Sequence, residues 1–284
     1  VTNVSARERT FEVTLASGER FVTRKVVSST GLSGLAHVPS ALRNLGPDRM
    51  RHTFDIADYS EFRNKTVAVI GAGASAIEAG ALVREAGGSS DVFVRGPEAV
   101  FHGRSPRVRP LWERIKNPTT VLGASRNSWV LQHFPLVVYR LPLERRTRFV
   151  KRSLGPASPW WIQDRVLGKV PIHVRHELLE AGTAGERVLL KFRDGAGHVK
   201  EVDVDFVIAG TGYDADVARL TYLDPELRQR IRCIERSPAL DSHFESSVPG
   251  LHFIGPLSFM CFGPLFRFVT GAAVAAPRLA RRLG

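Results

Sequence analysis

The clearest pattern in the chain is an apolar run followed by small residues and a helix-favouring stretch. Val67–Ile70 is apolar and rich in β-branched residues, as in a strand buried on both faces. Small residues fill Gly71–Ala76, and Ile77–Glu85 has the composition of a helix. A further strand candidate, Asp91–Val94, follows at the spacing of a βαβ unit. The pattern predicts a parallel α/β fold in this part of the chain.

Two antiparallel strand pairs are predicted on either side of this unit. Apolar residues alternate with polar ones or form a run on each side of a turn at Gly18, in Phe11–Leu15 and Phe21–Val27. This pattern predicts a strand, a turn and a strand. Arg187–Phe192 and Val199–Val204 are separated by a short polar turn containing Asp-Gly, which predicts a hairpin.

The small residues after the first strand have the spacing Gly-x-Gly-x-x-Ala, with Gly71, Gly73 and Ala76 at the fixed positions. The first glycine allows a tight exit from the strand, the second lets the backbone approach a pyrophosphate, and Ala76 keeps helix and strand close. Backbone N–H groups of the first helical turn, at Ala74 and Ser75, would face the anion. We therefore predict a dinucleotide-binding turn; the alternative is a chance strand, turn and helix.

The residue after the second strand bears on which dinucleotide binds. Arg95 stands there, and a guanidinium suits a ribose 2′-phosphate, so NADP is favoured over NAD. The nearest acid, Asp91, lies at the start of the strand and thus at the wrong end. His102, Arg104 and Ser105 follow closely enough to contact cofactor phosphates. The alternatives are a solvated arginine and an ordinary surface loop.

Composition excludes several other classes. The chain has 284 residues, 43% of them hydrophobic, and no apolar run long enough for a membrane span, so together with the lack of a signal peptide we expect a cytoplasmic protein. Cys233 and Cys261 are far apart, which argues against a dithiol or a zinc site. Despite a net charge of +12, basic residues cluster only at 144–152 and 278–282, so we expect no nucleic-acid partner. No catalytic triad or metal-ligand spacing occurs, and we expect cofactors to carry the chemistry.

Two strand-to-turn segments of one design flank the α/β unit. Residues 26–31 end in Thr-Gly and residues 206–213 end in Thr-Gly-Tyr. Later, residues 247–255 read Pro-Gly-Leu, an apolar strand and Gly, and residues 262–268 lead into the last helix. In this order the segments resemble the two-dinucleotide-binding flavoproteins, and within them the flavin-containing and N-hydroxylating monooxygenases. The resemblance runs along nearly the whole chain.

The chain departs from that group at three places. Gly210 replaces the alanine of the Ala-Thr-Gly-Tyr signature, and His52 alone remains of the Phe-x-Gly-x-x-x-His-x-x-x-Tyr/Phe motif. The strand with Gly-x-Gly-x-x-Gly that holds FAD in the group does not occur in these 284 residues. We therefore expect a fragment that lacks the first part of an FAD domain.

The resemblance implies an organisation in which a Rossmann-like NADP-binding domain is inserted into an incomplete FAD-binding domain. The implied segments are 1–36 and 213–284 for FAD, 37–59 as a linker, and 60–212 for NADP, with an inserted helical lobe at 96–158. The implied cofactor contacts outside the glycine turn and Arg95 are Thr30, Gly31, Thr211, Gly212, Tyr213, Gly255 and Gly263.

The resemblance also implies an activity. Members transfer a hydride from NADPH to FAD, activate O2 and pass an oxygen atom to an amine, a sulfide or a ketone, so the partners would be a small-molecule substrate and O2. A flavin-dependent reductase shares the domain plan but would lack a redox dithiol here. A non-catalytic nucleotide-binding remnant is the third possibility.

Overall fold

The structure is a computed structural model that describes residues 1–103 and 109–284. The chain divides into two compact units. The terminal unit comprises Val1–Leu35, Pro106–Gly155 and Ala215–Gly284, and the central unit comprises Ala36–Ser105 and Pro156–Asp214.

The strands in chain order are β1 (Asn3–Ala6), β2 (Phe11–Thr14), β3 (Arg20–Thr23), β4 (Val26–Ser28), β5 (Met50–His52), β6 (Thr66–Ile70), β7 (Ser89–Val94), β8 (Ile172–Val174), β9 (Glu177–Ala184), β10 (Arg187–Arg193), β11 (Val199–Val204), β12 (Phe206–Ala209), β13 (Cys233–Ile234), β14 (Ser237–Pro238) and β15 (Leu251–Phe253). The α-helices are α1 (Ala74–Glu85), α2 (Leu111–Lys116), α3 (Arg126–His133), α4 (Leu143–Arg152), α5 (Trp160–Val166), α6 (Pro225–Arg230), α7 (Phe259–Phe262) and α8 (Ala272–Leu283). None of the helices in the described ranges is long and apolar enough to cross a membrane.

The central unit is built on a parallel sheet with the strand order β5-β12-β6-β7-β8. The predicted βαβ unit is confirmed as β6, α1 and β7. Alternate residues of β6 face opposite sides: Val67 and Val69 pack with α1 and α5, whereas Ala68 and Ile70 pack toward the antiparallel sheet β11-β10-β9. Layers on both faces explain why the strand reads as a continuous apolar run.

Side chains fix the amino end of this sheet. The Asp205 carboxylate accepts hydrogen bonds from the backbone N–H and the hydroxyl of Thr66, both at 2.7 Å, and the bond to the backbone N–H lowers the pKa of Asp205. Arg187 donates to Asp205 Oδ1 at 2.6 Å and to Asp203 Oδ1 at 2.8 Å. These contacts join the start of β6 to β12 and to the predicted hairpin β10-β11, which is confirmed.

The segment 37–59, expected as a linker, contributes β5 at the edge of the sheet. Its register pairs Met50 with Val207 and His52 with Ala209. The sequence did not reveal this strand because it has three residues, two of them polar, and one strand neighbour.

The terminal unit contains the antiparallel sheet β1-β2-β3 and the parallel pair β15-β4. The turn at Gly18 is confirmed and has a φ of +86°. The strand expected over Phe21–Val27 is divided at Arg24-Lys25, because β3 pairs with β2 whereas Val26 of β4 pairs with Leu251 of β15. One apolar run in the sequence therefore serves two sheets.

The expected lobe at 96–158 is helical beyond residue 110, as predicted, but it divides between the units. Its larger described part, 109–155, groups with the terminal unit rather than with the central unit. The physical reason is a shared core in which Val138 and Val150 pack with Phe259 and Met260.

Candidate dinucleotide-binding site

Three small residues allow the turn after β6 to pack tightly. Gly71 donates its N–H to the Phe93 carbonyl at 3.0 Å and has a φ of +146°, and a Cβ on it would lie 2.1 Å from the Gly210 carbonyl oxygen. A Cβ on Gly210 would lie 2.5 Å from the Ala76 Cβ. Real Cβ atoms do not approach so closely, so both positions require glycine. The methyl and backbone of Ala76 thus leave no room for an alanine at position 210.

The next glycine, Gly73, has a different environment. It is the residue before α1, with φ −84° and ψ 173°, and no side chain caps the helix there. A Cβ added to Gly73 would have no described heavy atom within 4 Å. The first-turn N–H groups of a helix have no intrahelical partners, so those of Ala74 and Ser75 can bind an anion at this opening. Ser75 is exposed there. The turn has the open space and the donors that a cofactor pyrophosphate needs.

Arg95 lies directly after β7 at the carboxyl edge of the sheet and is exposed. The competing acid, Asp91, lies three residues before the strand ends and hydrogen-bonds His173 Nε2 at 2.7 Å. Asp91 is therefore not at the edge where a ribose would lie, as its position at the start of the predicted strand indicated. The His102 backbone N–H donates to the Ser158 carbonyl at 2.8 Å. Arg104 and Ser105 lie outside the described residues.

The segment Thr211–Tyr213 crosses beside residues 36–37, with Ala36 bridged to Tyr213. The Thr211 hydroxyl donates to the His37 carbonyl, and the His37 N–H donates to the Gly212 carbonyl at 2.8 Å. His37 Nδ1 also contacts Asp214 Oδ2 at 2.8 Å. The Thr211 hydroxyl thus already has a protein partner, and the roles of Thr211 and Gly212 toward a cofactor stay predictions.

His52 gives this crossing a further support that the sequence did not reveal. Its Nδ1 accepts the Phe54 N–H at 3.1 Å, so the ring is neutral with its proton on Nε2, which donates to the Gly212 carbonyl at 3.0 Å. The Tyr213 ring meets His52 edge-on at 5.1 Å, and burial raises the pKa of Tyr213. The surviving motif residue therefore orients the crossing segment.

In the terminal unit, two predicted turns lie at one sheet edge. Thr30-Gly31 follows β4 and Gly255 follows β15, and these strands are parallel neighbours with Ser28 opposite Phe253. Gly31 and Gly255 have φ values of +61° and +70°, and neither would meet another described atom within 4 Å through a Cβ. Both turns are open to a ligand.

Gly263 has a different environment from these two glycines. Its φ is +93°, and a Cβ there would lie 2.9 Å from Val138 Cγ2. Packing against Val138 already requires a glycine at this position, and its contact with a cofactor stays a prediction.

Residues 1–95, which include the glycine turn and Arg95, match the L-lysine 6-monooxygenase/L-ornithine 5-monooxygenase family. Over these residues the chain is similar to the N-hydroxylating flavin monooxygenases. This similarity confirms the resemblance seen in the sequence. No curated protein matches the chain in sequence.

Solved structures show the same fold. The reduced ornithine hydroxylase of Pseudomonas aeruginosa has a TM-score of 0.76 at 18% identity over 99% of this chain and 69% of its own. The ornithine N-hydroxylase of Kutzneria sp. 744, solved with reduced FAD, NADP+ and L-ornithine, has a TM-score of 0.70 at 16% identity over 100% and 72%. Thioredoxin reductase of Lactococcus lactis reaches 0.61 at 16% identity over 99% and 72%. At these identities the likeness establishes an α/β fold with parallel sheets, similar to that of two-dinucleotide-binding flavoprotein structures.

Proposed function

We propose that the central unit binds NADPH, that the terminal unit contributes to an FAD site, and that the chain serves an NADPH- and FAD-dependent monooxygenase that hydroxylates an amine nitrogen. The observation that carries this proposal is the match of residues 1–95 to the lysine and ornithine monooxygenases, because it includes both the glycine turn and strands of the terminal unit. Bound FAD would accept a hydride from NADPH and activate O2 for transfer to the amine.

The residues of the central unit would bind and orient NADPH. The N–H groups of Ala74 and Ser75 would bind the pyrophosphate over Gly73, where the backbone is open. Gly71 and Gly210 support this turn by permitting close packing of β6, α1 and β12. Arg95 would bind the 2′-phosphate, since a guanidinium forms charge-assisted hydrogen bonds with phosphate.

The terminal unit would contact FAD at the carboxyl ends of β4 and β15. Ligands of parallel α/β sheets bind outside the carboxyl ends of strands, which supports a role for the turns at Thr30-Gly31 and Gly255.

Nucleotide titration of purified residues 1–284 tests the first part of the proposal. NADPH should bind at least about tenfold more tightly than NADH, the value of one charge-assisted contact. Arg95→Gln should reduce that preference, whereas Arg84→Gln should not, because the exposed Arg84 lies in the last turn of α1, away from the glycine turn. Equal affinities of the wild type for NADPH and NADH would refute the role of Arg95.

Product analysis tests the second part. The complete gene product, supplied with FAD, NADPH and isotopically labelled O2, should transfer label to the nitrogen of ornithine, lysine or cadaverine. NADPH oxidation without a labelled product, and with electrons passing to an added acceptor, would instead establish a reductase. The thioredoxin reductase fold keeps that second candidate open, although the widely separated Cys233 and Cys261 form no Cys-x-x-Cys dithiol. Neither reaction would indicate a non-catalytic nucleotide-binding protein.

A further inference from the structure

Arg175 lies beside Arg95 at the carboxyl edge of the parallel sheet. Val94 and Val174, the last residues of β7 and β8, are register partners, and one arginine follows each of them. The pairing continues beyond the strands, because Arg175 donates its N–H to the Gly96 carbonyl at 2.8 Å and His176 donates to Val94 at 3.0 Å. Neighbouring strands lie about 4.8 Å apart, so the two arginine backbones are adjacent.

The side chains before these arginines indicate which face of the sheet the pair shares. Phe93 and His173 stack with ring centroids 4.8 Å apart, and Phe93 also stacks on Phe192 of β10. Side chains alternate along a strand, so Arg95 continues toward the face covered by β9-β10-β11. The Arg175 stem lies on the same side, because a Cβ on Gly195, in the β10-β11 turn, would come 2.9 Å from Arg175 Cδ.

The backbone of Arg175 is also unusual. Its φ is +54°, a left-handed conformation that arginine rarely adopts. Residues held in this region cluster at binding sites, where surrounding structure maintains them. Here the hydrogen bond to Gly96 maintains the left-handed backbone of Arg175, and Gly195, which has no side chain, leaves room for the arginine stem.

Two nearby acids are engaged elsewhere. Asp91 bonds His173 at 2.7 Å, and Glu177 lies 3.5 Å from Arg193. Within the described part of the chain, neither Arg95 nor Arg175 has an ion-pair partner, and both are exposed. Two unpaired guanidinium groups on adjacent strands suit a dianion with three acceptor oxygens.

We propose that Arg175 joins Arg95 in binding one phosphate monoester, the 2′-phosphate of the dinucleotide. The assignment rests on the proposed NADPH site and makes Arg175 a second determinant of NADPH over NADH. The sequence did not reveal it, because Arg175 follows the short strand β8 and its neighbour β7 is distant along the chain.

Calorimetric titration with 2′-phospho-ADP-ribose and ADP-ribose tests the proposal. Arg175→Asn is the variant of choice, because asparagine tolerates the left-handed backbone and should keep the fold. We expect it to weaken 2′-phospho-ADP-ribose binding about tenfold and to leave ADP-ribose binding unchanged. Arg175→Lys should recover part of the loss, since lysine retains the charge without the planar fork. Arg84→Asn is the matched control.

The outcomes separate this inference from the proposed function. A wild type that prefers the 2′-phosphorylated ligand and an Arg175→Asn variant that keeps this preference would overturn the role of Arg175 alone. A wild type that binds neither ligand would overturn the proposed NADPH site and this inference with it. Equal weakening of both ligands by Arg175→Asn would show an effect on the fold, and it would also overturn the inference.

Discussion

Gly210→Ala should strongly destabilise the central unit. The new Cβ would lie 2.5 Å from the Ala76 Cβ, 2.6 Å from its Cα and 3.1 Å from its nitrogen. None of these atoms belongs to a flexible side chain, so relief requires α1 to move away from β12. Overpacking a well-packed core lowers the free energy of unfolding by about 1–3 kcal/mol. Because the new contacts are with backbone atoms, we expect a loss of about 3 kcal/mol here.

A second substitution tests whether Ala76 is the cause. Ala76→Gly alone should cost about 1 kcal/mol through lower helix propensity. In the presence of Gly210→Ala it removes the contact at 2.5 Å but leaves the one with Cα at 2.6 Å. We therefore expect partial rescue, with a coupling free energy of about 1 kcal/mol between the two sites.

Gly73→Ala provides the contrast within the same turn. Its φ of −84° suits alanine and the space around it is open, so the free energy of unfolding should stay unchanged or rise by up to about 1 kcal/mol. The new methyl would instead occupy the opening proposed for the pyrophosphate and should weaken NADPH binding about tenfold or more.

Urea unfolding followed by circular dichroism, with NADPH titration of each folded variant, measures both effects. A Gly210→Ala variant within about 0.5 kcal/mol of the wild type, or strict additivity with Ala76→Gly, would refute the packing argument. Unchanged NADPH binding by Gly73→Ala would refute the proposed position of the pyrophosphate.

Two other predictions concern the terminal unit. His252 is buried, and burial lowers its pKa, so the unfolded chain binds the extra proton and stability should fall as pH decreases below about 6.5, by at most about 1.4 kcal/mol per pH unit. The free energy of unfolding, measured at several pH values, should show that His252→Gln removes part of this fall. His198→Gln, at an exposed histidine, should not. Identical pH profiles for the wild type and His252→Gln would contradict the assignment. Purified residues 1–284 should be colourless, because they contain no Gly-x-Gly-x-x-Gly turn to hold the FAD pyrophosphate, whereas stoichiometric yellow flavin would contradict this.

The sequence predicted those elements whose signal is local. The apolar run of β6, the glycine turn and the hairpin β10-β11 each combine a periodic pattern with a characteristic turn, so neighbouring residues suffice to identify them. Arg95 could be placed at the sheet edge for the same reason, since it directly follows β7.

The features that were missed depend on distant partners. The division at Arg24-Lys25 follows from pairing of β4 with β15, more than two hundred residues later along the chain. Likewise, the lobe joins the terminal unit because Val138 and Val150 meet Phe259 and Met260. Arg175 and the support of Gly212 by His52 also arise only when separate segments meet. Periodicity along one segment carries no information about such contacts.

The contacts of Asp205 with Thr66 and Arg187 give the two ends of the parallel sheet different tolerance to sequence change. At the amino end, side chains join β6, β12 and the hairpin, so a substitution of Asp205 would disturb three elements together. At the carboxyl end, exposed arginines at 95 and 175 can change without breaking those joints. The proposed cofactor preference can therefore diverge at one end of the sheet while the other end preserves its architecture.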